Sequence, residues 1–231
     1  MSDINENIDK KRLLRVIIIR TPISFLMMAL LLFLPARTIN YWEAWVFLAI
    51  LFIPASFVLI YLYRKDPELL VKRMKMKEKE KEQKFLQLFS SFFFIVMFLI
   101  PGFDKYYGWS SVPLWLKIFS AAMVLLGYIM FFVVLRQNRY ASRVIEIQDK
   151  QKVIDTGLYA VVRHPMYDAV LLLYGFAPLA LGSYWALIGV IFILFILRFR
   201  VVNEEKVLMK ELEGYKEYMK KVRYRLIPGL W

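Results

Sequence analysis

Apolar residues fall in long uninterrupted runs separated by short, densely charged stretches, and this alternation dictates the architecture. Four runs, 16–36, 41–63, 85–103 and 112–135, reach the roughly 20 residues a helix needs to cross the hydrocarbon core of a bilayer. Each is bounded by charge or by Pro and Gly. Two shorter runs, 167–181 and 184–197, are joined only by Gly182 and Ser183, which predicts a helical hairpin too short for an assured crossing. Beyond Asn203, the positions Val207, Leu208, Leu212, Tyr215, Tyr218, Met219 and Val222 recur at helical spacing, as one stripe of an amphipathic helix packed under the bundle. Asn203 either caps that helix or lies inside an uninterrupted one. The stretch 66–84 alternates Lys with Glu and reads as an amphipathic or solvated helix lying along lipid headgroups. The expected fold is an all-α polytopic membrane bundle of about five to six transmembrane helices, in one domain.

Composition strengthens this reading. Sixty per cent hydrophobic residues, 17% aromatic residues and a mean hydropathy of +0.50 exceed what a water-soluble core of 231 residues requires. The net charge of +13 raises nucleic acid as a partner, but the cations flank the apolar runs, as membrane proteins place them. Lys and Arg number 5 up to Arg20, 9 in 64–84, 6 in 136–165 and 9 from Arg198 onward, whereas the other side shows Arg37 and Lys105. The positive-inside rule then puts both termini, the long loops and every candidate chemical residue in the cytoplasm, in the inner membrane if the cell is prokaryotic. The polar start 1–12 and the lack of a small-residue cleavage site predict that the first run stays as an anchor. Absent cysteine removes disulfides and thiolate chemistry, and the single His164 excludes a multi-histidine metal cluster, so no metal is expected.

The candidate chemistry gathers in two places. Residues 157–167 hold Gly157, Tyr159, Arg163, His164, Pro165, Met166 and Tyr167 immediately before the hairpin, and the hairpin ends on Arg200, Glu204 and Glu205. Arg200 and Glu204 lie four apart, on one helical face, where they make an interfacial ion pair or grip one ligand. Pro165 at a first helical turn leaves backbone N–H groups free for an anionic ligand. His164 reads equally as an interfacial hydrogen-bonding residue, Tyr159 and Tyr167 as aromatic-belt anchors, and Gly157 as a turn. Spacing alone does not choose.

The pattern Gly-Leu-Tyr, four residues, His-Pro-Met-Tyr, an apolar hairpin, Arg-x-x-x-Glu-Glu, and a tail with Tyr215, Tyr218 and Tyr224-Arg225-Leu226-Ile227-Pro228 resembles the isoprenylcysteine carboxyl methyltransferase family. The likeness is dense from 139 to 231, and Asp66-Pro67-Glu68-Leu69-Leu70 resembles a loop of prokaryotic members. It implies an integral membrane methyltransferase using S-adenosyl-L-methionine, with cofactor from the cytoplasm and a lipophilic acceptor from the bilayer. Domain 1–231 then divides into four N-terminal helices (1–135) and a cofactor-binding catalytic part (136–231). By the resemblance, Gln151, Lys152, Val153, Ile154, Tyr159, His164, Pro165, Met166, Tyr167 and Glu204 contact cofactor, and Arg200 faces the acceptor. Where members often carry Gly two residues after the motif tyrosine, this chain has Asp168-Ala169, which adds a charge near the mouth. Glu204 or Glu205 suits a sulfonium and ammonium ligand, and Arg200 suits a carboxylate acceptor such as an isoprenylcysteine. An amine or thiol acceptor would instead need a base, from Glu205, His164 or a tyrosine. The competing readings are an NADPH-dependent membrane reductase of the sterol reductase type and a non-enzymatic scaffold or transporter. Against transport, the first four runs hold no paired charges near mid-membrane.

Overall fold

The computed structural model describes residues 10–74, 81–141, 147–148 and 151–231, with 81–87, 89 and 90 as backbone alone. The start 1–9, the Lys/Glu alternation within 75–80 and the cations Arg143 and Lys150 lie outside the described residues. Every described regular element is helical. Helices α1 (Lys10–Ala36), α2 (Trp42–Lys65) and α5 (Leu114–Gln137) are long and apolar enough to cross a membrane. Only 11%, 22% and 28% of their most apolar windows are buried, so their remaining apolar surface is left for lipid. Helix α4 (Lys81–Tyr107) carries the expected run 85–103 and packs along α1 and along α8 (Leu187–Glu211).

The hairpin is α6 (Pro165–Gly175) and α7 (Ala177–Ala180), then a turn through Gly182 and Ser183, then α8 (Leu187–Glu211). Helix α8 runs through Asn203 without a break, which resolves the open choice in favour of continuity. The predicted stripe is divided instead further on. Leu212 is extended, Gly214 takes φ 81, and α9 (Tyr215–Lys221) starts afresh. Leu212, Tyr215, Tyr218 and Val222 still form one buried cluster with Leu208, Met209, Ile147 and Val153, because the bend folds α9 back onto the end of α8.

Core packing fixes the hairpin against the bundle. A Cβ at Gly127 of α5 would lie 2.9 Å from the Leu173 nitrogen and 3.0 Å from the Ala169 oxygen, so α5 and α6 touch backbone to backbone. A Cβ at Gly175, at the end of α6, would meet nothing within 4 Å, so that glycine makes no such contact. At the end of α5 remote from the motif, Asp104 accepts hydrogen bonds from Ser110 and Ser183, and the Tyr41 hydroxyl donates to the Leu181 oxygen. Buried Glu43 of α2 pairs there with Lys117 of α5, a cation inside an apolar run. These contacts anchor the hairpin turn, roughly 30 Å along α5 from Asn138 at 1.5 Å per residue.

The segment after Asp66 departs from the solvated reading. Asp66 accepts from the Leu69 N–H at 3.0 Å and opens a short helix α3 (Pro67–Met74). Its Leu69 and Leu70 are each 1% exposed, packed with Leu13, Leu62 and Leu135. Two adjacent leucines after Asp-Pro supply enough apolar area to dock the helix despite its charged neighbours.

Candidate active site

The motif is held by the tail of the chain. The backbone N–H groups of Arg163 and His164 donate to the Tyr224 and Arg225 oxygens at 2.9 Å each, and the Tyr167 N–H donates to the His164 oxygen. Of the first-turn N–H groups beside Pro165, that of Tyr167 is therefore engaged by a protein acceptor. Pro165 itself stands at the start of α6 as predicted, buried, where its fixed φ suits the first turn. Gly157 takes φ 60 and leads a 3-10 turn, Gly157–Ala160; a Cβ there would lie 2.3 Å from Gln137 Nε2. That contact lets Gln137 Oε1 accept from the Leu158 N–H.

Adjacent glutamates on α8 have different surroundings. Glu205 is 1% exposed and accepts from Arg163 Nε and Arg225 Nε at 2.7 Å each, with His164 Nε2 at 3.3 Å. Arg163 also donates to the Val222 and Arg223 oxygens. Burial alone would raise the Glu205 carboxyl, but the hydrogen bonds from His164, Arg225 and Arg163 outweigh it and hold the group at about 2. Glu205 is thus the hub that ties motif, α8 and tail together.

Glu204, one position away, turns into a cavity of about 600 Å³. The Tyr167 hydroxyl donates to Glu204 Oε2 at 2.6 Å, and Arg200 Nε donates to the same hydroxyl at 3.1 Å. The i, i+4 pair of Arg200 and Glu204 therefore works through Tyr167 between them. His164 Nδ1 stands 4.0 Å from Glu204 Oε1 and reaches both glutamates. The Tyr159 hydroxyl accepts from Asn138 Nδ2 at 2.8 Å, and its phenol is pushed up to about 12, by burial first.

The cavity walls include Gln151, Lys152, Val153, Ile154, Tyr159, His164, Met166, Tyr167, Arg200 and Glu204. Pro165 and Glu205 support the walls from behind and are not part of them. Asp168 is not a wall residue either, and its Oδ1 is buried without a partner among the described residues. Other walls were not foreseen: Arg73 from α3, Phe131 from α5 and Asn138 just past its end, Phe94 and Ile95 from α4, and Tyr174 from α6. Arg73 could have been found from Leu69 and Leu70, whose burial drives α3 inward. The aromatic walls could not, since a lipid-facing and a cavity-facing Phe look alike in a continuous apolar run.

Met166, Tyr167, Val170 and Tyr174 are spaced by one, three and four residues along α6, so the cavity follows that helix from the polar mouth into the apolar body. A volume of about 600 Å³ falls within the roughly 300–1,000 Å³ of small-molecule sites. One wall carboxylate, a guanidinium linked to it by a phenol, and an apolar extension suit a cationic ligand meeting a lipophilic one. Among the described residues no three His, Cys, Asp or Glu side chains converge as metal ligands would.

No curated protein matches the chain. A family model does match, over residues 119–210, which take in most of α5, the whole motif and α8 as far as Lys210. Its description is the isoprenylcysteine carboxyl methyltransferase (ICMT) family, so the resemblance read from the motifs is found again over this segment, which is less than half of the chain and is similar to that family of methyltransferases.

Proposed function

We propose that this protein transfers a methyl group from S-adenosyl-L-methionine to a lipophilic, membrane-borne acceptor, at a site on the cytoplasmic face. The observation that carries the reading is the two-part cavity, polar at Glu204, Tyr167 and Arg200 and apolar along Val170, Tyr174, Phe94 and Phe131. When bound, the cofactor supplies an electrophilic methyl on a sulfonium. Glu204 offers that cation and the nearby ammonium a negative charge in a partly dry wall. Tyr167, donating to Glu204 and accepting from Arg200, fixes the carboxylate's direction, so the site is positioned before ligand arrives. Lys152, His164 and the loop 151–154 close the polar end around the ligand.

Arg200, on the cavity wall beside the Tyr167 hydroxyl, orients an acceptor carboxylate through its guanidinium. The acceptor class best supported is such a carboxylate on a lipophilic stem, as in an isoprenylcysteine. It arrives anionic and needs no base. Glu205 is a poor base in any case, because three donors keep it ionised and it does not reach the cavity.

Calorimetric titration of the detergent-solubilised protein with S-adenosylhomocysteine, alongside NADPH, tests the reading. Saturable binding of S-adenosylhomocysteine, weakened about tenfold or more in Glu204→Gln, is the expected result, consistent with a charge-assisted contact of roughly 1.5–3 kcal/mol. Arg200→Ala is expected to retain that binding within a few-fold and lose turnover. Binding of NADPH alone would replace the methyltransferase with a reductase, and binding of neither would leave a scaffold.

A further inference from the structure

The tail beyond α9 does more than hold the motif. Past Tyr224 and Arg225 it turns back on itself, and the Trp231 oxygen accepts from the Arg225 and Leu226 N–H groups at 3.0 and 3.1 Å. The turn brings Leu226, Ile227 and Leu230 together with Leu171 of α6 and Leu194 and Leu197 of α8 around a groove of about 160 Å³, which shares no wall with the cavity at Glu204. The groove is open: Leu194 and Ile227 are each 49% exposed and Leu230 is 76% exposed, so its apolar area is left uncovered by protein. Its volume falls below the roughly 300–1,000 Å³ of small-molecule sites, which suits one stretch of hydrocarbon chain and not a whole ligand.

Arg198 is the charged member of that lining. It is exposed, and it stands seven residues before Glu205, about 10 Å along α8 from the motif level toward the hydrocarbon. Its neighbours Leu194, Phe195 and Phe199 are exposed apolar side chains, as on a lipid-facing surface. Among the described residues no carboxylate or hydrogen-bond acceptor engages Arg198, whose guanidinium lies 5.7 Å from the centre of the Trp231 ring. The Arg225 guanidinium lies 5.2 Å from the same ring, but Glu205 neutralises it. A lipid-facing guanidinium requires an anion, and the anions within reach of a snorkelling arginine are lipid phosphates. A zwitterionic headgroup brings its own cation to that phosphate, whereas an anionic headgroup leaves the charge for Arg198.

We propose that this groove is a binding site for an anionic phospholipid, with an acyl chain along Leu194, Ile227 and Leu230 and the phosphate on Arg198. The lipid covers the exposed apolar walls and braces the tail, whose Tyr224 and Arg225 oxygens hold the Arg163 and His164 N–H groups.

Trp231 reports the site. The other tryptophans, Trp42, Trp45, Trp109, Trp115 and Trp185, stand in or beside the connections at the opposite end of the bundle. Delipidated protein in detergent is titrated with phosphatidylglycerol or phosphatidylcholine carrying brominated acyl chains, which quench tryptophan on contact, and the signal of Trp231→Phe is subtracted from that of wild type. The expected result is saturable quenching of Trp231, with phosphatidylglycerol effective at about fivefold lower concentration than phosphatidylcholine, the worth of one arginine at an anionic surface. Arg198→Gln should bring the two lipids level by weakening the first, and Arg198→Lys should keep a preference. Equal quenching by both lipids in wild type, or a preference that survives Arg198→Gln, overturns the proposal. So does the absence of Trp231 quenching, which assigns the groove to a second copy of the chain if light scattering shows a dimer. None of these readouts depends on methyl transfer, so the site stands or falls apart from the methyltransferase reading.

Discussion

Glu204 and Glu205 are chemically identical neighbours, and the fold gives them opposite work. Their directions differ by about 100° around α8, so one carboxylate enters the cavity and the other meets Arg163, Arg225 and His164. Removing the Glu205 charge leaves Arg163, whose side chain is 5% exposed, without its counter-ion. Glu205→Gln is therefore expected to destabilise the protein by about 3–5 kcal/mol. The pH dependence has a definite sign. The carboxyl's folded value of about 2 lies below its ordinary 4.5. Its contribution is complete above pH 4.5 and is lost as pH falls toward 2. Melting curves of wild type and Glu205→Gln, compared at neutral pH and at pH 3, should show the gap between them narrowing; a constant gap would mean Glu205 is not the ionised hub.

At the scale of elements, the site depends on how closely α6 lies against α5. Gly127 makes that possible, and Gly127→Ala would force its methyl against the Leu173 and Ala169 backbones. Overpacking of this kind costs about 1–3 kcal/mol, against which alanine's better helix propensity returns up to about 1 kcal/mol. The larger effect falls on function, because α6 carries Tyr167, and a shift of α6 breaks its contacts with Glu204 and Arg200. Gly127→Ala is expected to weaken S-adenosylhomocysteine binding more than it lowers the melting temperature; unaltered binding would show that α6 does not need this contact. How much of this could be read from sequence follows from what each element is made of. The long helices announce themselves through unbroken apolar runs, and the motif through unusual polar residues at a membrane edge. The bend at Gly214 escaped because the apolar stripe continues at helical spacing straight across it. The docking of α3 into the bundle escaped because two buried leucines were outweighed by the charges around them. The division of labour between the two glutamates escaped because periodicity fixes a direction around a helix and not the neighbour waiting there.

Considered whole, the molecule has two chemically different ends. The motif end holds Arg163, Arg200, Arg225, Lys152 and the cavity, while the other holds Glu43 paired with Lys117 and Asp104 bound to Ser183 and Ser110. The distribution of Lys and Arg predicts that the motif end faces the cytoplasm, where S-adenosyl-L-methionine is made available. Because the chain has no cysteine, a single introduced thiol reports its side without background. Glu213, exposed between α8 and α9, lies at the motif end, and Trp109, 54% exposed in the connection between α4 and α5, lies at the other. Glu213→Cys and Trp109→Cys leave the cavity and the helix interfaces untouched. In intact cells, a membrane-impermeant maleimide should label Trp109→Cys and spare Glu213→Cys, and lysis should expose the second to labelling. The reverse pattern would invert the protein and put the cavity on the side without S-adenosyl-L-methionine, which would remove the physical basis for the proposed methyl transfer.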